Sequence, residues 1–196
     1  MQLPLFQVSQ ETSAPDTEAL AQCLTAEVVA IDVETETRWP GVGPKVDYGL
    51  SYSADVTVIA LAWIQTDTLQ STALAAPFDS HIQNFLQTLF QQPTLVVAHN
   101  AVFDIRQISK LTGGHIPQQI WDTQSMARLL SPAVNASYSL LAVATALDIP
   151  FPEHQQAMKG QRSKLHTLPL SVTLEYAQDD ARLALQLYQR QRELPA

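Results

Sequence analysis

Asp32 and Glu34 stand two residues apart inside the run Val28-Val29-Ala30-Ile31-Asp32-Val33-Glu34-Thr35. The apolar, mostly β-branched residues around them read as a buried central strand. Strand side chains alternate faces, so the two carboxylates share one face and stand side by side. Anions at that spacing near a core repel each other unless a proton or a cation sits between them. A hard divalent cation with oxygen ligands meets that need. A strand end that reaches solvent with two exposed acids is the alternative.

Further carboxylates lie in two other segments. Asp179 and Asp180 are adjacent in a long final helix over about Ser171–Glu193. Glu175, Asp179, Arg182 and Gln186 recur at helical steps and make an ordinary solvated polar face. Asp180 instead shares a stripe with Tyr176, Ala177, Ala184 and Leu187, the face that must pack on a sheet. A carboxylate there is costly unless it is paired or binds metal. Tyr176 lies one turn earlier and reaches the same place, either as a core tyrosine or as a participant in chemistry. In Val96-Val97-Ala98-His99-Asn100-Ala101-Val102-Phe103-Asp104 a strand leads into a helix with Asp104 in its first turn. Taken singly, Asp104 reads as compensation of the helix dipole.

The elements that must position these residues follow from periodicity and punctuation. Residues 2–9 suggest a short edge strand, and Asp16 or Thr17 caps a short helix through Leu24. After the central strand, Thr35–Leu50 carries Pro40, Gly41, Gly43, Pro44 and Gly49 and reads as a long loop. Strands are expected over Val56–Ile64 and Thr68–Ala75, and a helix over Asp79–Phe90. A strand over Thr94–Ala98 leads into a helix over Asn100–Leu111 that Gly113-Gly114 stops. Ile120-Trp121 is a last short strand, Asp122 and Thr123 cap a helix to Leu130, and Ser139–Leu147 is helical. Pro150–Leu170 is polar, irregular and basic. From the central strand on, the order is β-β-β-α-β-α-β-α-α-α, an α/β mixed sheet flanked by helices.

Composition bounds the reading. The 196 residues are 46% hydrophobic, enough for one well-buried domain, and no second core is visible, so 1–196 reads as a single domain. Net charge is −8 with 11 Lys and Arg, which argues against a polybasic, sequence-independent DNA binder. Metal-binding acids would themselves lower the net charge. The single Cys23 excludes an internal disulfide and fits a reducing, cytoplasmic setting. Neither a signal peptide nor a membrane span is expected. No Cys or His cluster suggests zinc.

Together, Asp32-Val33-Glu34, His99-Asn100 through Phe103-Asp104, and Tyr176-Ala177-Gln178-Asp179-Asp180 resemble the three motifs of the DEDD superfamily of 3′–5′ exonucleases. The Tyr-x-x-x-Asp form resembles the DEDDy branch; the His branch would need a histidine where Glu175 stands. The resemblance covers about residues 27–190 and is nearest to the proofreading domain of family A DNA polymerases and to RNase D. Ile120-Trp121-Asp122-Thr123 and Tyr138-Ser139-Leu140 are similar to that family too.

The resemblance implies a ribonuclease H-like fold and a site for two divalent metal ions, Mg²⁺ or Mn²⁺. By that analogy Asp32 bridges both ions, Glu34 and Asp180 complete one site, and Asp104 holds the second ion directly or through water. Tyr176 with Glu34 orients the attacking water. Such a pair of ions stabilises charge on the attacking and leaving oxygens of a phosphodiester.

Substrate contacts are open between two readings each. Phe103 either packs against a terminal base or is buried on the sheet. Asn100 either touches the terminal sugar or caps its helix. Lys159, Arg162, Lys164 and His166 form a basic cluster that is either a phosphate contact or a solvated loop. Arg106 is a further phosphate candidate, and His99 reads as structural. The activity expected is removal of nucleotides from the 3′ end of single-stranded DNA. An RNA-acting, RNase D-like enzyme is one alternative. A non-catalytic domain that binds a DNA polymerase or another replication protein is the other. The chain length, without room for extra helical domains, tilts the expectation to DNA.

Overall fold

The computed structural model describes residues 16–37, 54–65, 71–131, 137–153, 155 and 168–194. In chain order these form α1 (Thr17–Leu24), β1 (Val28–Thr37), β2 (Ala54–Ile64), β3 (Ser71–Pro77), α2 (Ser80–Leu89), β4 (Leu95–Ala98), α3 (Ala101–Leu111), β5 (Gln119–Asp122), α4 (Thr123–Leu130), α5 (Leu140–Ala146) and α6 (Leu170–Arg192). The expected edge strand at 2–9, most of the loop after β1 and the basic cluster Lys159, Arg162, Lys164 and His166 lie outside the described residues.

The strands make one sheet in the order β3-β2-β1-β4-β5. β1 pairs antiparallel with β2, and β2 with β3; β4 and β5 run parallel to β1 on its other side. This is the α/β, ribonuclease H-like mixed sheet that the sequence leads one to expect. β1 is longer than expected, ending at Thr37 instead of Thr35. Its last residues pair with Val56, Asp55 and Ala54 of β2, which extends the ladder.

Alternation along β1 and β2 fills the two faces differently. Val29, Ile31, Val33, Ile59, Leu61 and Trp63 face a cluster built with α1, α2 and α3. Ala30, Val58, Ala60 and Ala62 face a cluster built with α4, α5 and α6. A fully buried Ile or Leu stabilises by about 1.5–3 kcal/mol, so the first face carries the larger share per residue. Asp16, Asp79 and Asp122 accept backbone N–H bonds at the starts of α1, α2 and α4, each contributing about 1 kcal/mol. No helix among the described residues is long and apolar enough to cross a membrane.

Candidate active site

Two structural facts create the site at the far end of β1. The first is the shortness of β4. It pairs with β1 only from Val28 to Ala30, so among the described residues no strand pairs with β1 beyond that point on that side. α3 turns in there, and Asp104 Oδ1 accepts the Val33 N–H at 3.2 Å. The second is α6, which crosses the face that carries Asp32 and Glu34. Alanines meet on this face: Ala60 and Ala62 from the sheet, Ala177, Ala181 and Ala184 from the helix. Small side chains on both partners let the helix lie close, and Asp180 arrives 4% exposed.

Asp32, Glu34 and Asp180 each bring one carboxylate oxygen to a common point, all within 4.8 Å of one another. Two unit charges 4 Å apart repel by about 4 kcal/mol at an effective dielectric of 20, so three such carboxylates need compensation. Asp32 Oδ2 and Asp180 Oδ1 are buried and accept no hydrogen bond. A set of hard oxygen donors, with no sulfur and no imidazole in the group, fits a divalent cation of the Mg²⁺ kind.

Asp104 stands beside this group, joined to it through the backbone of β1. The residue is 4% exposed. Burial pushes its carboxyl well above the usual carboxylate range; the amides of Val33 and of Asp104 itself pull it down, and nearby Glu34 and Asp122 push it up.

Tyr176 is 3% exposed, on the same side of α6 as Asp180. Among the described residues it joins neither of the two apolar clusters. Asp179 pairs with Arg182 at 3.1 Å, as its polar face predicts. That face is less solvated than expected, for the Asp179 side chain is only 10% exposed.

The β4–α3 turn bears on the capping reading of Asn100. Asn100 occupies the N-cap position in the left-handed region (φ 71°, ψ 53°), and its side chain makes no capping bond. Asparagine tolerates that conformation better than most residues. The turn is held instead by its neighbours. The Asn100 N–H donates to Asp122 Oδ1 at 3.0 Å. His99 Nε2 meets the Tyr138 carbonyl and Nδ1 the Thr123 hydroxyl, both at 2.9 Å. His99 is therefore a brace between β4, α4 and the entry to α5. Asn100 is left exposed at the start of α3. Phe103 is half-buried and packs against the α1–α3 cluster, and Arg106 is half-buried on the same helix.

Three polar residues escape sequence reasoning. Gln191, 3% exposed, accepts from Trp121 Nε1 at 3.0 Å and donates to the Thr123 carbonyl at 2.8 Å. Its place on the Asp180–Ala184–Leu187 stripe of α6 was a usable signal. Gln155, 1% exposed, donates to the Tyr176 carbonyl at 3.1 Å, and no local pattern announces it. Thr57 of β2 donates to the Glu34 carbonyl at 3.2 Å. A cavity of about 180 Å³ opens beside Glu34, lined by Glu36, Thr57, Val58, Leu170 and Thr173 among others.

Residues 8–194 match the family model described as a 3′–5′ exonuclease. No curated protein matches the chain. Among solved structures, RNase D of Trypanosoma brucei in complex with RNA U12 is similar, with a TM-score of 0.62 at 15% identity over 90% of this chain. The catalytic core of RRP6 from the same organism gives 0.61 at 20% identity over 90%. Brucella melitensis NrnC with bound Mg²⁺ gives 0.55 at 20% identity over 87%, covering 76% of that chain. The match spans 59% of the RNase D chain and 43% of the RRP6 chain. At these identities the likeness is one of fold.

Proposed function

Since the chain belongs to the 3′–5′ exonuclease family, we propose that residues 1–196 form one exonuclease domain that hydrolyses the terminal phosphodiester of single-stranded DNA from its 3′ end. The observation that carries this is the meeting of Asp32, Glu34 and Asp180 within 4.8 Å, with Asp104 bonded to the same strand.

Asp32, Glu34 and Asp180 would hold one divalent ion, and Asp32 and Asp104 a second, Mg²⁺ or Mn²⁺. NrnC, similar in fold, carries Mg²⁺. Bound ions of this kind stabilise charge on the phosphate and make a bound water a better nucleophile. The chain's own residues do the rest. Tyr176 from α6 and Glu34 from β1 orient the attacking water. Asn100, exposed at the α3 start, reaches the terminal sugar. Phe103 offers its outer edge to the terminal base. The cavity beside Glu34 is smaller than the roughly 300–1,000 Å³ that holds a whole drug-sized ligand, so it suits a terminal sugar or base. Lys159, Arg162 and Lys164, outside the described residues, are the proposed contacts to the backbone phosphates.

RNA is the second reading, supported by the RNase D relative in complex with RNA U12. Action as a proofreading partner of a DNA polymerase is a further proposal, tested by co-purification with the polymerase. The substrate test uses end-labelled single-stranded DNA and RNA of one sequence, with Mg²⁺, Mn²⁺ or EDTA. Stepwise shortening of DNA alone, abolished by EDTA and by Asp32→Ala, is expected. Shortening of RNA alone moves the assignment to the second reading, and an intact pair of polymers under both metals removes the proposal.

A further inference from the structure

We propose that Thr57 is a positioning residue for the metal site. It acts through a β-bulge that aims Glu34, and the proposal rests on the exonuclease reading above. The β1–β2 ladder loses register at this point: Glu34 pairs with Val58, but the next residue, Thr35, pairs with Val56. Thr57 is the extra residue.

Its effect is visible in the faces. Val58, Ala60 and Ala62 keep strict alternation and pack toward α6. Val56, two residues before Val58, packs in the opposite cluster. In a regular strand these two valines would share a face. The bulge therefore reverses the strand's sidedness immediately opposite Glu34. Bulges bend a strand, increase its twist and re-aim nearby side chains.

A bulge beside a metal site needs pinning, because a one-residue slip turns every side chain to the wrong face. Two bonds supply it. The Phe78 N–H donates to the Thr57 carbonyl at 2.9 Å, tying the bulge to the end of β3. The Thr57 hydroxyl donates to the Glu34 carbonyl at 3.2 Å, tying it to the residue whose carboxylate completes the group. The first bond is backbone only and survives any side chain. The second depends on the hydroxyl. Thr57 also lines the cavity beside Glu34.

The test compares Thr57→Val, which removes the hydroxyl at nearly constant shape, with Thr57→Ser, which keeps it. Thr57→Ala, made alongside, removes the hydroxyl without crowding the cavity. Three quantities are measured on the full chain: Mn²⁺ binding without nucleic acid, the Mg²⁺ concentration for half-maximal cleavage, and Tm. Groups that orient metal ligands typically contribute 10- to 100-fold in metal affinity or activity, and a bond to a ligand's backbone belongs at the low end. Thr57→Val and Thr57→Ala should each weaken Mn²⁺ binding about 10-fold and raise the half-activating Mg²⁺ by a similar factor, with Thr57→Ser near wild type.

Unchanged metal dependence in Thr57→Val overturns the proposal. So does a Thr57→Ser variant as impaired as Thr57→Val, or a loss of fold in both hydroxyl-free variants. Those failures leave an active, metal-binding wild type. A wild type that neither binds Mn²⁺ nor cleaves would sink the exonuclease reading itself, and Thr57's role with it.

Discussion

The two faces of the sheet solve opposite problems. Toward α1, α2 and α3 the sheet presents Ile31, Val33, Ile59, Leu61 and Trp63, large side chains that fill space. Toward α6 it presents Ala30, Ala60 and Ala62, and α6 answers with Ala177, Ala181 and Ala184. Large residues bury more area and supply more stability. Small ones supply less but let a helix lie close. Asp180 reaches Asp32 and Glu34 because its helix rides on alanines. One face builds the platform and the other sets a distance.

The largest expected effect separates neighbours on α6. Asp180 belongs to the close-packed face and to the carboxylate group, whereas Asp179 pairs with Arg182 beside it. Asp180→Asn should lower the cleavage rate by about 10³-fold or more, a loss of roughly 4 kcal/mol in transition-state stabilisation. Asp179→Asn should cost less than about tenfold. Equal losses in single-turnover assays would break the division of the helix into two faces.

A second comparison sets the faces against each other directly. Ala62→Leu inserts bulk beneath α6 at a residue that is not itself a proposed ligand; Ala62 pairs with Ala30, two residues along from Asp32. Overpacking of this kind costs about 1–3 kcal/mol of stability. The lifted helix should also carry Asp180 outward, so activity at fixed Mg²⁺ should fall by about 10²-fold, the order that a 1 Å misplacement can produce. Leu61→Ala, on the opposite face, should cost more stability, about 2–5 kcal/mol. Its half-activating Mg²⁺ should stay near the wild-type value. Thermal melts and Mg²⁺ titrations of the two variants read both quantities.

This asymmetry also explains which features the sequence displays. Apolar runs and helical stripes announce the elements, and Asp180 is separable from Asp179 because a carboxylate on an apolar stripe contradicts its surroundings. Asp32 and Glu34 are legible for the same reason, through strand alternation. The bulge at Thr57 is not, because a threonine inside a β-branched run carries no mark of lost register. Gln155 is invisible likewise, since its partner is a backbone carbonyl of a helix that begins 15 residues later. The left-handed turn at Asn100 is half-legible: asparagine permits it, but the usual reading of asparagine before a helix is a side-chain cap, which this turn lacks.

Tyr176 sharpens the comparison within α6. It is buried on the alanine-bearing side yet, among the described residues, joins neither apolar cluster. A tyrosine that only filled space would tolerate loss of its hydroxyl. Tyr176→Phe should instead slow turnover about 10- to 100-fold, while Mn²⁺ binding in the absence of nucleic acid stays within about twofold of wild type. A large loss of metal affinity would make Tyr176 a support for the ligands and remove it from the orientation of water.

The smallest effect concerns Asp104, the one proposed ligand approached from the α3 side. Folding raises its pKa through burial, so the native chain keeps this proton at pH values where the unfolded chain has released it. Its contribution to stability is therefore complete below the ordinary carboxylate range, near about pH 4. It is lost as pH rises through the raised native value. In EDTA, Tm should accordingly fall between mildly acidic and alkaline buffer. Asp104→Asn keeps an acceptor for the Val33 N–H and carries no titrating proton, so it should flatten that fall. Mg²⁺ should flatten it in the wild type, because a cation beside the carboxylate favours the ionised form. In a chain of this size each kcal/mol moves Tm by about 2–4 °C, so the difference is within reach of calorimetry. A pH slope identical in wild type and Asp104→Asn would mean that Asp104 is already ionised in the metal-free fold, its charge balanced by the same backbone amides that hold it against β1.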